Sequence, residues 1–190
     1  MYRALPSCKG RFVIGYTNIV EDSYTPITRL SYTPYLSVEP LQEESSKRPN
    51  PWISSENKTN ELAVYQRANK IIDSLNNVAL VSFKSQVNEK LNRPIAMRSD
   101  VIGSLKRAAT FLNEFQGCPR ILIVCSDFKD TYGQSMVLDP TINLFIVGSN
   151  VNPKDVKAAT GVEKSGYRLF ESYEETINEI IYKYMSNPLK

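Results

Sequence analysis

The sequence predicts a doubly wound α/β fold: a mostly parallel sheet with helices on both faces and an antiparallel edge strand. Two short apolar runs, Arg120 to Cys125 and Ile142 to Val147, are bounded by polar residues and read as strands buried on both faces of a parallel sheet. They are interleaved with segments of helical period, and that alternation calls for a sheet covered on both sides. The Arg120 run also ends abruptly in Ser126-Asp127, a hydroxyl and a carboxylate at the end of a strand where α/β sheets bind ligands. The plain alternative is that this pair only opens the next loop.

The elements follow in order. Arg11 to Val20 is rich in β-branched and aromatic residues and reads as a first strand. From Glu21 to Thr59 prolines and serines cluster and no helical period survives, which marks an arm or insertion within a single domain. There Ser23-Tyr-Thr-Pro26 recurs as Ser31-Tyr-Thr-Pro34. The arm is either an extended segment whose tyrosines pack on the domain surface or an exposed binding strip of tyrosines; loops of this length are usually functional or mobile. Leu62, Ala63, Tyr65, Ala68, Ile71, Ile72 and Leu75 predict an amphipathic helix over Asn60 to Leu75, stopped by Asn76-Asn77. Val78 to Phe83 reads as a second strand, and Leu91 to Met97, with Pro94, as an edge strand. Asp100 is placed to cap a helix through Phe115 whose stripe is Ile102, Leu105, Ala108, Ala109, Leu112 and Phe115. After the two apolar strands come a short helix from Pro153 to Ala159, a last strand from Tyr167 to Phe170, and a closing helix from Glu174 to Met185. Its inward residues are Ile177, Ile180, Ile181 and Tyr184.

Composition narrows the chemistry. The chain has 190 residues, enough for one domain with a sizeable core, and a net charge of +3 without a dense basic run. No apolar stretch approaches the length of a membrane span. Met1 to Arg11 lacks the apolar core of a signal peptide; Leu5-Pro6-Ser7-Cys8 has the look of a lipoprotein signal's end without its apolar segment. The expected location is the cytoplasm, with a trimmed lipoprotein or secreted precursor as the alternative. Cys8, Cys118 and Cys125 have no metal-type spacing, and Cys125 reads as a small core residue. Histidine is absent, which removes Ser-His-Asp and Cys-His mechanisms and His-ligated zinc. Carboxylates, hydroxyls, lysines, tyrosines or a hard metal ion remain.

Three segments together resemble a von Willebrand factor A-type domain, over roughly Asn60 to Tyr184 and more loosely the first strand. Arg98 to Leu112 (RSDVIGSLKRAATFL) resembles the loop and helix where that family places a metal-binding Thr or Ser. Arg120 to Gly133 (RILIVCSDFKDTYG) resembles its strand ending in a Thr/Ser-Asp pair. Ile142 to Gly161 (INLFIVGSNVNPKDVKAATG) resembles its following strand, glycine turn and short helix. The resemblance implies a metal-ion-dependent adhesion site for Mg²⁺ or Mn²⁺ at the C-terminal edge of the sheet, with Ser99 and Asp127 as ligands. Such hard ions take oxygen donors in octahedral geometry. The first loop departs from the family's Asp-x-Ser-x-Ser: one register gives Gly15, Thr17 and Ile19, which cannot form the site. A later register gives Glu21, Ser23 and Thr25, one carboxylate and two hydroxyls. The other outcome is a degenerate site, in which Asp127 caps its loop or pairs with a lysine.

The function implied is a non-enzymatic protein-binding or scaffolding module with a protein partner, and the arm at 21–59 offers a way to clasp a second copy. Two other readings stay open. Asp127 and Asp130, with Asp100, are carboxylates of the kind a metal-dependent phosphohydrolase or nuclease uses. Arg98, Lys106, Arg107 and Arg120 would suit a nucleic-acid partner, with a solvated face as the simpler account. No glycine-rich phosphate loop is present, and Gly148 reads as a turn.

Overall fold

In a computed structural model the described residues are 11–20, 26–36, 55–92, 98–130 and 132–185, with the side chains of 55–60 and 185 excepted. β1 (Phe12–Tyr16) pairs antiparallel with β2 (Thr28–Tyr32), Phe12 opposite Tyr32 and Tyr16 opposite Thr28. Strand alternation sorts their side chains into two faces. Phe12, Ile14, Tyr16, Leu30 and Tyr32 meet Phe83 and Val87 of a long helix, α1 (Ser55–Leu91), in one apolar cluster. Gly15 points the other way, against the Phe111 ring of α2 (Val101–Asn113), where a Cβ would sit 2.7 Å from a ring carbon. Glycine is what allows that approach. Arg29, opposite Gly15, lays its guanidinium over Phe111 and Phe115 at 4.9 and 5.4 Å.

The parallel sheet has the order β3 (Arg120–Cys125), β4 (Ile142–Val147), β5 (Tyr167–Phe170). One face presents Leu122, Val124, Ile142, Leu144 and Ile146. It packs on Val101, Ile102, Leu105 and Ala109 of α2 and on Val156 and Ala159 of α3 (Pro153–Thr160), forming the main core. The sequence sets the ends of α3: Asn152 caps it, Pro153 opens it, and Gly161 at φ 71° closes it. α4 (Tyr173–Ile180), capped by Ser172, contacts β4 and β5 and continues as a π-helical turn, Ile181–Met185. The chain is thus mixed α/β, with a three-stranded parallel sheet, a separate antiparallel pair and four helices among the described residues.

Several expectations are corrected. Val78 to Phe83 is not a strand but the middle of α1, which runs unbroken past Asn76-Asn77. Its packed face continues through Asn76, Phe83, Val87 and Lys90, all buried. Asn76 does not stop the helix because its amide is bonded sideways to Thr33. The first strand is shorter than Arg11 to Val20, and it pairs with β2 inside the region read as a structureless arm. There Tyr32 is buried and stacks on Phe12 at 4.7 Å. Cys125 is exposed rather than a core residue, because β3 is well covered on one face only. The edge strand expected at Leu91 to Met97 falls mostly on 93–97, outside the described residues; Leu91 itself ends α1.

Candidate functional site at the C-terminal edge of β3

α2 runs back along β3, so its first turn meets the loop that leaves the strand. The first amide groups of a helix lack partners within it. Here two carboxylates supply them. Asp100, the N-cap, accepts from Gly103 N at 2.7 Å. Asp130 accepts with Oδ1 from Val101 N at 3.0 Å and Ile102 N at 3.4 Å. Its Oδ2 accepts from Tyr132 N and Gln134 N at 3.1 and 3.0 Å. Asp130 therefore ties the loop after β3 to the start of α2, and negative charge is favourable there. Asp100 N donates to Val20 O at 3.0 Å, which brings the end of the segment following β1 to the same edge.

The residues between β3 and Asp130 form tight side-chain turns. Ser126 Oγ accepts from Phe128 N at 3.0 Å, and Asp127 Oδ1 accepts from Lys129 N at 3.1 Å. Phe128 adopts φ 62°, rare for an aromatic residue, and its burial to 3% exposure in the main core offsets that strain. Asp127 is left on the outside. Its side chain is 54% exposed and its Oδ2 lies 3.9 Å from Lys129 Nζ, a solvated pair worth little. Ser99 is half-buried just before the Asp100 cap.

Sequence reasoning thus placed Ser99, Asp100, Ser126 and Asp127 at the two segments that meet here. Glu21, Ser23 and Thr25 lie outside the described residues. Of the five ligands the resemblance implies, only Ser99 and Asp127 lie among the described residues, where octahedral coordination takes about six oxygens. Asp100 and Asp130 are engaged with backbone amides. No group of three His, Cys, Asp or Glu suited to a metal occurs among the described residues.

The basic residues do not gather into one strip. Arg98 lies at this edge, whereas Arg120 begins β3 at its opposite end. Arg120 bonds Asp139 at 3.0 Å and also Thr141 and Asn113. Bonds from Thr141, and then from Arg120, hold the Asp139 carboxyl below its usual range. Arg107, expected to face solvent, is half-buried and donates to Thr17 Oγ1 at 3.0 Å. Desolvation pushes the Cys125 thiol up, opposite to what an activated nucleophile needs. The role of Asp130 was missed as a cap. Its local signal was the turn composition of Asp130-Thr-Tyr-Gly133, but the helix it caps is in another segment.

Beyond this edge, a shallow pocket of about 180 Å³ lies beside β4 and β5, lined by Asn143, Ser165, Arg168, Lys183 and Tyr184. Its polar groups are largely engaged: Arg168 pairs with Glu179, and Tyr184 OH donates to Asn143 at 2.9 Å. No helix among the described residues is long and apolar enough to cross a membrane. Compared with protein-family models, curated proteins and solved structures, the chain finds no match. What the fold defines is the mixed α/β class.

Proposed function

We propose that the chain is a non-enzymatic protein-binding or scaffolding module of the von Willebrand A type, in its degenerate form, with the C-terminal edge of β3 as its contact surface. The observation that carries this is the division of labour among three carboxylates. Asp100 and Asp130 brace the edge through backbone amides, and Asp127 alone projects into solvent. Asp127 caps its own turn and faces Lys129, the behaviour expected of a degenerate adhesion site. A hydrolase using Asp127 and Asp130 is disfavoured, because Asp130 already accepts four amide bonds and would have to abandon them to bind a metal. The family reading rests on the order of the quoted segments, which fall on α2, on β3 with the loop after it, and on the run from β4 through α3. The family's doubly wound sheet would need β1 beside β3, whereas β1 pairs with β2 here; what the proposal keeps is the parallel β3-β4-β5 sheet and its polar edge.

A photo-activated cross-linking residue at position 127, in the native host, tests it. It should capture a discrete protein that the same residue at exposed Lys154 does not. Equal capture at both positions would sink the assignment of the edge. Turnover of a generic phosphoester, lost in Asp130→Asn but not in Lys129→Ala, would promote the hydrolase instead.

A further inference from the structure

Beyond β2 the chain changes how it is held. Leu30 and Tyr32 are 1% and 6% exposed in the core, but Tyr35 and Leu36 are 39% and 45% exposed. Residues 33–36 are gripped by polar groups of α1 instead. Asn76 accepts from Thr33 N at 3.1 Å and donates to Thr33 O at 2.8 Å. Asn69 does the same at Leu36, accepting from N at 2.7 Å and donating to O at 3.0 Å. Each amide thus pairs with both backbone groups of one residue, as a neighbouring strand would.

The spacing is matched. Seven residues of helix rise about 10.5 Å, and three extended residues span about 10 Å. Between the two asparagines, Asp73 Oδ1 accepts from the Tyr35 hydroxyl at 2.6 Å, while Asn77 donates to its Oδ2 at 3.3 Å. Asparagine is a mediocre helix former, and Asn76 is 93% buried in the sense that only 7% of it is exposed, so these bonds are what make it tolerable there.

We propose that Asn69, Asp73 and Asn76 form a binding strip for an extended peptide, read through its backbone at two residues three apart and through one tyrosine. The chain's own Thr33–Leu36 segment occupies the strip in cis. The strip is on α1, a different element from the β3 edge, and stands without that reading. Backbone pairing is indifferent to residue type, so the partner's identity is set by extended conformation and by a tyrosine one position before the second clamped residue. Tyr35 and Leu36 are held by exposed hydrogen bonds to Asp73 and Asn69, exchangeable with water, rather than by apolar burial, so displacement starts there and reaches the buried Asn76 clamp last.

The test uses the full chain labelled with ¹⁵N and a capped Thr-Pro-Tyr-Leu peptide. Tyr35→Phe with Leu36→Pro removes one hydroxyl and one amide donor from the cis segment at exposed positions and leaves the strip intact. Expected is a saturable shift of the Asn69 side-chain NH₂ signals in this double variant, at peptide concentrations at least tenfold below those needed for the unaltered chain. Adding Asn69→Ala should abolish the response, read at Asn76, and a Thr-Pro-Phe-Leu peptide should bind more weakly. Circular dichroism confirms the fold in each case; if the double variant melts early, Leu36→Pro alone serves. No saturable shift in a folded variant, or a shift that survives Asn69→Ala, would overturn the proposal.

Discussion

Asp130 and Asp127 stand three residues apart and do opposite things. Asp130 holds four amides across two segments, so Asp130→Ala should lower stability by about 2 kcal/mol, the scale for losing bonds to a charged group and a helix cap together. Asp127→Ala, removing an exposed side chain, should change it by less than about 0.5 kcal/mol. Equilibrium urea unfolding of both variants checks the contrast. Asp100 was legible as a cap because its partner, Gly103, is three residues on. Asp130 was not, since its helix partners Val101 and Ile102 lie 29 and 28 positions away in sequence.

Tyr35 gives a pH dependence at the same scale. The hydrogen bond to Asp73, with desolvation and Tyr32 adding, pushes its hydroxyl from 10.0 up to about 12. A pKa raised in the folded chain means that the protonated form favours the folded segment. Its contribution is therefore complete below about pH 10 and is lost as pH rises through about 12. Thermal unfolding followed by circular dichroism from pH 9 to 12 should show stability falling, and the fall should be smaller in Tyr35→Phe.

At the scale of elements, α1 shows what periodicity could and could not decide. Val78-Ala-Leu-Val is a short apolar run, and such runs do not distinguish a strand from a helix segment. Asn76-Asn77 tipped the reading towards a stop. What extends the helix is tertiary: Asn76 finds its partners on Thr33, and Phe83 and Val87 continue the packed face against β2. Val78 is 67% exposed, so Val78→Glu should cost less than about 0.5 kcal/mol, whereas Val78→Pro should cost about 3 kcal/mol or more by breaking the helix. Thermal melts followed at 222 nm would show this. Comparable losses from both substitutions would instead fit a buried strand. The segments from Val101 onward were read more closely, because α2, β3, β4, α3 and β5 carry their caps, apolar stripes and end signals locally.

At the scale of the whole molecule, the order β3-β4-β5 advances in one direction. Ligands in open α/β sheets favour the point where strand order reverses, and a reversal here would need β1 beside β3. Instead β1 pairs with β2 and packs through Gly15 on the far side of α2. The alternation of strands and helices was visible in the sequence; the partner chosen by β1 was not, because β2 hides in a segment rich in proline and serine. The edge of β3 keeps its polar residues all the same, and Asp100 and Asp130 brace it through backbone amides.

The proposal that this edge is a degenerate adhesion site, braced by side chains rather than by a cation, is the centre of the account, and one titration tests it. Thermal unfolding would be followed against Mg²⁺ and Mn²⁺ for the unaltered chain and for Asp127→Ala. The account predicts no saturable stabilisation in either protein. A site filled at 100 times its dissociation constant would add about 2.7 kcal/mol. A saturable rise of that order, present in the unaltered chain and absent in Asp127→Ala, would contradict the account and restore a working adhesion site with Ser99 and Asp127 among its ligands.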